Sequence, residues 1–317
     1  MYTVKLTFNY DWPLFRQTPK YSGVWGNYRF IIDNELEECD FWVIYSNYKL
    51  SNERCRCNKN NILFLPAEGY ETSPRFSKEF LDQFGKVITV QRELKGNNVV
   101  YWQNANPWFV EKSYDELTSI DMPEKTKFMS IISSNKVMTA GHKKRLDFAY
   151  AIKEYFGDQV DLFGRGIADF DKKWDVLAPY KYHIAIENDF CDDWVTEKFF
   201  DPFLTFTYSF YYGCPNMLRY MPEDSYTPID INDVNSTIKK IESIISNDDL
   251  YNRFFRNCPS YRNIVLNKHQ LFPMLVSFLE QMDSSQPKEL VTIVPEAIPA
   301  SPPLTLLQKI KRKISNR

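Results

Sequence analysis

The residues best suited to do chemistry follow a short apolar strand, Ile184 to Ile186. Glu187 ends this strand, and an acidic turn then leads into a helix whose first turn carries Thr196, Glu197 and Lys198. A helix N-terminus has unpaired N–H groups and a positive partial charge, so a lysine there is unfavourable unless an anion lies beside it. The spacing therefore predicts a turn that holds an anion, and a phosphate group is the anion that fits it best.

Short strands and helices alternate in the first part of the chain and must position its side chains. Strands are predicted at Thr3 to Phe8, Phe41 to Tyr45, Asn61 to Leu65, Val87 to Val90 and Val99 to Trp102, with a helix over Ser73 to Phe84. These strands are short and rich in Val, Ile and aromatic residues, as buried strands are. Their alternation with helical segments favours a parallel, doubly wound sheet.

The second part of the chain repeats the same alternation. Strands are predicted at Phe128 to Ile132, Val160 to Phe163, Ile184 to Ile186 and Phe210 to Tyr212, and helices at Lys143 to Phe156, Asp171 to Leu177, Thr196 onward, Asn235 to Ile245, Asp248 to Arg256 and Asn263 to Met282. Ligands of open parallel sheets bind beyond the carboxyl ends of the strands. Two such sheets, facing each other across a cleft, would bind one ligand each.

The length and composition of the chain agree with two soluble domains. Its 317 residues are 44% hydrophobic and 25% charged, which is enough apolar material for two packed cores. The predicted division is a first domain over 1–125 and a second over 126–283. The formal net charge of −2 excludes a whole-molecule field that would attract nucleic acid. The six cysteines have neither the spacing of a disulfide framework nor that of a paired zinc site.

The C-terminal region changes composition and is expected to lie outside the core. Residues 284–303 are rich in proline and predict an extended tether. Residues 304–317 place Ile310 and Ile314 on one helical face and basic residues on the others. A short basic amphipathic helix is typical of a peripheral membrane anchor. A solvated, disordered tail is the alternative.

The segment that ends in Glu197 and Lys198 resembles one known family. YKYHIAIENDFCDDWVTEKFF, followed by YYGCPN, is similar to the donor-binding signature of glycosyltransferase family 10, the α-1,3/4-fucosyltransferases. FMSIISSNKVMTAGHKKRLDF, DLFGRG and LYNRFFRN resemble further segments of that family, in the same order. The resemblance covers roughly residues 60–275 and implies the GT-B architecture: an α/β fold of two Rossmann-like domains, an acceptor half first and a GDP-sugar half second.

The resemblance also implies which side chains bind the donor. They are Arg145, Asn188, Trp194, Glu197, Lys198, Asn135 and Gly164. Arg145 and Lys198 would contact the diphosphate, and Glu197 the ribose or sugar hydroxyls. Asn188 and Trp194 would contact the nucleotide, although Trp194 stands where the family usually has tyrosine. Fixed cations suit this chemistry because the leaving nucleoside diphosphate gains negative charge as the glycosidic bond breaks.

An inverting transfer also requires a base that takes the proton of the acceptor hydroxyl. The family's base is a glutamate that follows a strand of the first domain. Here the segment NILFLPAEGYETSP offers Glu68 and Glu71. Glu68 is favoured because it follows the strand immediately, and Glu71 stays open. Either residue could instead be a carboxylate that stabilises the start of the following helix.

No metal or other cofactor is expected to be required, and a divalent cation would at most stimulate the reaction. Asp169 and Asp171 imitate the D-x-D pattern of metal-dependent transferases, but such triplets are common on surfaces. The acidic pair at 192–193 is expected to cap the following helix. Trp12, Trp25, Trp102 and Trp108 could form a platform for an acceptor sugar or could simply fill the core.

These observations lead to one expected function and two rivals. The expectation is transfer of L-fucose from GDP-fucose to O3 of N-acetylglucosamine or glucose in a glycan acceptor. A transferase that uses another GDP-sugar in surface polysaccharide assembly, such as lipopolysaccharide biosynthesis, is the first rival. A membrane-tethered protein that binds sugar nucleotides or glycans without catalysis is the second. The N-terminus shows neither a signal peptide nor a membrane anchor, so a bacterial enzyme at the cytoplasmic face of the inner membrane is expected.

Overall fold

The computed structural model describes residues 1–8, 10–46, 52–67, 76–135 and 140–296. Both candidate bases, Glu68 and Glu71, lie outside these residues. The basic amphipathic tail at 304–317 lies outside them as well, so its membrane contact stays a prediction. None of the helices in the described ranges is long and apolar enough to span a bilayer.

A seven-stranded sheet forms the first half of the molecule. Its strands are β1 (Tyr2–Thr7), β2 (Val24–Trp25), β3 (Tyr28–Ile31), β4 (Phe41–Tyr45), β6 (Ile62–Leu65), β7 (Lys86–Thr89) and β8 (Val99–Tyr101), in the spatial order β2-β3-β1-β4-β6-β7-β8. β5 (Glu53–Cys57) lies outside this sheet. All neighbours are parallel except β2 and β3. Both central strands, β4 and β6, are buried along their whole length, which explains their continuous apolar sequences.

A five-stranded, fully parallel sheet forms the second half. Its strands are β9 (Lys127–Ile132), β10 (Val160–Phe163), β11 (Tyr180–Ile186), β12 (Tyr208–Tyr212) and β13 (Tyr226–Pro228), in the order β10-β9-β11-β12-β13. The strand predicted at Ile184 to Ile186 is therefore only the last part of β11. It lies at the centre of the sheet, and it brings Glu187 to the carboxyl edge.

The helices connect and cover these sheets. They are α1 (Lys78–Leu81), α2 (Tyr114–Ser119), α3 (Ala140–Phe156), α4 (Glu197–Leu204), α5 (Val234–Ile245), α6 (Asp248–Ile264) and α7 (Leu271–Leu279). The helix predicted over Asp171 to Leu177 is only a 3₁₀ turn, Lys173–Val176. The long helix predicted from Asn263 to Met282 is wrong. A π-helical turn, Val265–His269, follows α6, and α7 starts again after Gln270, whose side chain caps it.

Apolar packing crosses the division that was predicted between the two domains. The last helix, α7, is buried against the first sheet together with Leu6, Val43 and Leu63, although the predicted second domain runs to residue 283. In the opposite direction, Trp108 and Leu117 pack into the core of the second half. Because α7 is apolar on nearly all sides, it requires a covered position, and the first sheet provides one.

The expected tether at 284–303 is partly wrong. Glu289–Ile293 forms β14, which pairs antiparallel with β5, and Ile293 is buried beside Trp42 and Phe64. Glu296 follows this strand and accepts hydrogen bonds from the backbone N–H of Ser77 at 2.7 Å and from its hydroxyl at 3.1 Å. Val291 and Ile293 alternate along the strand and form its inward face. The proline-rich composition of the segment did not indicate this strand.

Removal of the Glu296 carboxylate should weaken the contact between the C-terminal segment and the start of α1. Ser77 caps α1 by accepting from the N–H of Phe80, and Glu296 fixes the Ser77 hydroxyl in that orientation. We expect Glu296→Ala to lower the free energy of unfolding by about 1–2 kcal/mol, because hydrogen bonds to a charged group are lost at a nearly buried site. Glu289→Ala is the matched control, since Glu289 is an exposed carboxylate of the same C-terminal segment. Equal losses in the two variants, measured by urea unfolding, would contradict this role.

Candidate active site

A cavity of about 330 Å³ opens at the carboxyl edge of the second sheet. It is lined by Phe109, Glu111, Ile132, Ser133, Ser134, Arg145, Phe170, Lys173, His183, Ala185, Ile186, Glu197 and Lys198. The lining therefore combines three cationic side chains with two carboxylates, at the edge where parallel sheets bind ligands. Of the predicted donor residues, Arg145, Glu197 and Lys198 meet in this cavity.

A buried carboxylate closes the turn in front of α4. Glu187 accepts hydrogen bonds from the N–H of Thr196 at 2.8 Å and from its hydroxyl at 2.9 Å. The Thr196 hydroxyl in turn accepts from the N–H of Lys198 at 3.2 Å and so caps the helix. Gly213 makes the close approach possible, since a Cβ there would lie 2.5 Å from Cγ of Glu187.

Lys198 lies between two carboxylates. Its Nζ is 3.4 Å from Glu187 and 3.4 Å from Glu197, and a quarter of its side chain is exposed. Burial acts to lower the pKa of Lys198, but the charges of Glu197 and Glu187 outweigh it and raise that pKa. Lys198 is therefore a cation at neutral pH. The sequence predicts that Lys198 contacts the diphosphate. Glu187 and Glu197 neutralise part of the positive charge of this lysine.

Glu187 and Glu197 respond differently to the same lysine. Burial raises the pKa of Glu187, and the attraction of Lys198 only partly opposes this effect. Burial also acts to raise the pKa of Glu197, but the charges of Lys198 and Lys173 dominate and lower it. Glu197 is thus the ionised carboxylate that faces the cavity, where it can accept hydrogen bonds from hydroxyl groups.

Arg145 retains an unused donor next to the cavity. It lies on α3 and is 6% exposed. It donates through Nη1 to the side-chain oxygen of Asn188 and through Nη2 to the Ser134 hydroxyl at 3.4 Å. Its buried Nε has no partner among the described residues. Burial lowers the pKa of Arg145, and Glu187 opposes this effect. A buried N–H without a partner is costly, so an incoming oxygen anion that accepts from it would gain binding energy.

Asn188 contacts the arginine, as its position suggests, but it does not line the cavity. Its side-chain oxygen accepts from Arg145 and so orients the guanidinium. Its direct contact with a nucleotide stays a prediction.

Lys173 and Asp201 belong to the site but were not identified from the sequence. Lys173 donates to Asp201 at 2.8 Å, and Asp201 also accepts from the N–H of Phe109 at 3.1 Å. Burial raises the pKa of Asp201 to about 6, although Lys173 acts in the opposite direction. Lys173 lies in a 3₁₀ turn, far in sequence from α4, and no local pattern connects the two. The D-x-D-like segment, Asp169 to Asp171, lies just before Lys173 and was the local pattern that pointed to this part of the chain.

Asn135 and Gly164 do not line the cavity, but Gly164 packs against Ser133, which does. Gly164 has φ +138°, and a Cβ there would lie 1.7 Å from the carbonyl oxygen of Ser133. The N–H of Asn135 donates to Arg165 at 3.2 Å. These contacts join the ends of β9 and β10 and hold Ser133 in the lining. A direct contact of Asn135 or Gly164 with the donor stays a prediction.

Trp194 is buried and lies outside the lining of the cavity. Its indole N–H has no partner among the described residues. Its contact with the nucleotide also stays a prediction. The expected capping role of the pair at 192–193 is wrong, because Thr196 caps α4 and Asp193 bonds elsewhere.

A second cavity, of about 400 Å³, opens in the first half. Phe8, Tyr10, Asp11, Trp12, Tyr45, Ser46, Ala67, Asn106, Pro107 and Phe109 line it. Phe109 lines both cavities, so the two cavities are neighbours. Ala67 directly precedes Glu68, and of the four tryptophans considered, Trp12 reaches this lining.

The other three tryptophans are used in packing. Trp102 and Trp108 belong to the apolar cluster of the second half, and Trp25 packs edge-on against Tyr114. Asp169 accepts from the N–H of Gly166 at 3.1 Å and so stabilises a turn. Within the described ranges, no group of three or more His, Cys, Asp or Glu side chains is arranged to hold a metal ion.

Comparison with known proteins identifies the family. The model of glycosyltransferase family 10 (fucosyltransferase), C-terminal region, matches residues 122–292, which is more than half of the chain. The chain belongs to glycosyltransferase family 10. A crystal structure of an α1,3-fucosyltransferase has the same fold, with a TM-score of 0.51 and 15% identity over 86% of this chain and 91% of that one. The α/β fold of GT-B type is thereby confirmed for this family 10 chain.

Two curated relatives share shorter segments with this family 10 chain. Alpha-(1,3)-fucosyltransferase B of Drosophila melanogaster is 30% identical over 112 residues, which cover 34% of this chain and 25% of that protein. GDP-fucose protein O-fucosyltransferase 3 of Rattus norvegicus is 41% identical over 56 residues, which cover 18% and 12% respectively. The chain thus matches a quarter or less of the length of these relatives.

The unused donor of Arg145 leads to a binding prediction. We expect Arg145→Lys to weaken GDP binding at least about 10-fold, because lysine cannot supply a fork of N–H groups that could contact Asn188 and phosphate oxygens together. Lys144→Met is the matched control, since Lys144 is an exposed cation of the same helix and bonds to Asn232. Isothermal titration calorimetry with GDP measures both. Full affinity in Arg145→Lys together with a loss in Lys144→Met would mean that GDP responds only to the net charge of α3.

Two buried histidines should make the protein sensitive to acid. Burial, with a contribution from Lys173, lowers the pKa of His183 to about 3, and burial lowers that of His269 to about 4. Unfolded histidine titrates near 6.5, so the unfolded chain binds more protons than the folded chain below that pH. The stability that the two neutral histidines contribute is complete above about pH 6.5. It is lost as the pH falls toward their pKa values in the folded protein. Asp201 acts in the opposite direction between about pH 4 and 6. It binds one proton, whereas the two histidines together bind two.

We therefore expect the free energy of unfolding to decrease by about 2–3 kcal/mol between pH 6.5 and 4.5, and His183→Gln to reduce that decrease. Urea unfolding at several pH values measures it. Wild-type and variant curves should run parallel between pH 7 and 8. If they also run parallel between pH 6.5 and 4.5, His183 is not the group that titrates.

Proposed function

We propose that this family 10 chain is an inverting glycosyltransferase that moves L-fucose from GDP-fucose to a hydroxyl of a glycan acceptor. O3 of N-acetylglucosamine or glucose is the favoured position. The observation that carries the proposal is the cavity in which Arg145, Lys173 and Lys198 converge at the carboxyl edge of the second sheet. The names of the two relatives, an α-(1,3)-fucosyltransferase and a GDP-fucose protein O-fucosyltransferase, support the choice of sugar.

The donor diphosphate would lie against the three cations. An oxygen of the diphosphate would accept from the unused Nε of Arg145, and Lys198 and Lys173 would approach other oxygens. Both lysines are already paired with carboxylates, so their charge is held in place before the substrate arrives. Preorganised cations stabilise the charge that develops on the leaving GDP without the cost of reorganisation.

Glu197 would bind hydroxyl groups of the donor. It stays ionised because Lys198 and Lys173 lower its pKa, and it lines the same cavity. An ionised carboxylate accepts strong hydrogen bonds from sugar hydroxyls. This position lies next to the diphosphate, where the ribose or the transferred sugar begins.

The acceptor would enter through the cavity of the first half. The Trp12 ring in its lining offers an apolar face of the kind on which sugars pack, and Asp11 and Asn106 offer polar groups. Glu68, which follows the lining residue Ala67, would take the proton of the acceptor hydroxyl. The acceptor oxygen then bonds to the anomeric carbon from the side opposite the leaving group, and GDP departs with the electron pair of the broken bond.

The reaction would require no metal ion. The three cationic side chains supply the positive charge that a divalent cation provides in other sugar transferases. An added divalent cation would at most stimulate the rate by screening charge on the released GDP.

Donor hydrolysis and transfer with a panel of GDP- and UDP-sugars test the proposal. We expect turnover of GDP-fucose in preference to other GDP-sugars and no turnover of UDP-sugars. We expect Lys198→Ala to lower the rate by at least about 100-fold, because a charge contact in the transition state is lost. Preference for another GDP-sugar would shift the donor assignment. GDP binding without turnover of any sugar would favour a non-catalytic binding protein.

Two glutamine variants complete this test by separating the candidate bases. Glu68→Gln should abolish transfer while GDP affinity is retained, since the amide keeps the shape of the carboxyl and cannot take a proton. Glu71→Gln should stay active. The reverse result would assign the base to Glu71.

A further inference from the structure

A carboxylate that the proposed chemistry does not use is fully buried in the turn before α4. Asp193 is 0% exposed. Its Oδ1 accepts from Asn216 at 2.9 Å, from the Tyr220 hydroxyl at 2.5 Å and from Arg219 at 3.0 Å. Its Oδ2 accepts from Arg92. A buried charge with this many donors is retained only where the surrounding structure holds it in one position.

The partners of Asp193 come from both halves of the molecule. Arg92 follows β7 of the first sheet, and its guanidinium lies 4.5 Å from the centre of the Tyr101 ring. Arg219 belongs to the second half but donates to the Tyr101 carbonyl at 3.2 Å and stacks 4.1 Å from the Trp102 ring. Through these two arginines, Asp193 is bonded to the ends of β7 and β8.

The backbone of Asp193 links the same contacts to the donor side chains. Its φ of +65° lies in the left-handed region, and its N–H donates to the side-chain oxygen of Asn216 at 2.8 Å. Asp193 stands three residues before the cap Thr196, and Lys198 follows two residues later. The direction in which the chain enters α4 therefore depends on where Asp193 is held.

The charge of Asp193 is stable in this setting. Burial acts to raise its pKa, but the hydrogen bonds of Tyr220 and Asn216 and the charges of Arg92 and Arg219 outweigh this effect and lower it. Asp192, the neighbour in the same turn, is different. Its side chain is 51% exposed and reaches Arg92 only at 3.9 Å.

We propose that Asp193 is a positioning residue, which through Arg92 and Arg219 holds the start of α4 in register with the first half of the molecule. It acts through Thr196, Glu197 and Lys198 and has no contact with substrate. The inference rests on the proposed function in assigning the donor to α4 and the acceptor to the first half. Its consequence is that acceptor attack depends on Asp193 more strongly than donor binding does.

Three substitutions test this role. Arg92→Met removes the first-half partner at a side chain that is 41% exposed, so folding should tolerate it. Asp193→Asn removes the charge with little change of shape. Asp192→Asn is the matched control, since it removes the same charge from the exposed neighbour. Each purified protein is assayed for GDP affinity, for GDP-fucose hydrolysis without acceptor, and for transfer to acceptor.

We expect Arg92→Met and Asp193→Asn to lower the ratio of transfer to hydrolysis by about 10- to 100-fold, because a displacement of about 1 Å between reacting groups has effects of that size. GDP affinity should change by less than about 3-fold in Arg92→Met, because that residue does not line the cavity. Asp192→Asn should match the wild type. Parallel loss of transfer and hydrolysis in Arg92→Met, or a ratio equal to that of Asp192→Asn, would overturn the inference.

A measurement without turnover keeps this test independent of the proposed function. Amide hydrogen exchange over residues 189–204 should increase in Arg92→Met relative to Asp192→Asn, because the turn loses its contact with the first half. If the wild-type protein transfers no sugar, the proposed function fails and the exchange result alone decides the positioning role. Equal exchange in the two variants would overturn it.

Discussion

The contact between Glu187 and Thr196 is the interaction on which the site depends. It joins the end of the central strand β11 to the cap of α4, so that the helix starts at a fixed distance from the sheet. Lys198 is held against the same carboxylate. This contact joins the two ends of the eight-residue loop 188–195. Within the loop, Asp193 contacts the first half. Loss of this one buried acceptor would leave the N–H of Thr196 without a partner.

The charges of the site are arranged in alternation. Arg145, Lys173 and Lys198 line the cavity, while Glu187, Glu197 and Asp201 hold two of them. Without these carboxylates, three cations in a small, partly dry space would repel one another. With them, Lys173 and Lys198 are held in place. Arg145 is the exception, because its hydrogen-bond partners within the described ranges are neutral and one of its buried N–H groups has no partner there.

The first half contributes to this site through contacts far from the candidate donor residues. Phe109 lies in the linings of both cavities and donates its N–H to Asp201. Arg92 reaches across to Asp193 in the turn before α4. Helix α7 then returns to the first sheet and packs there. The two halves are therefore connected at several separate points.

The sequence by itself determined the central strands and the family. Apolar runs predicted β4, β6, β9 and β10 closely, because the centre of a parallel sheet requires continuous burial. Lys198 in the first turn of α4 predicted an anion site there, since the helix dipole acts within a few residues. Only the tertiary structure decided that Lys173 and Asp201 join this site, that α7 packs on the first sheet, and that Glu289–Ile293 pairs with β5. These contacts join residues distant in sequence, and no local periodicity records such a pairing.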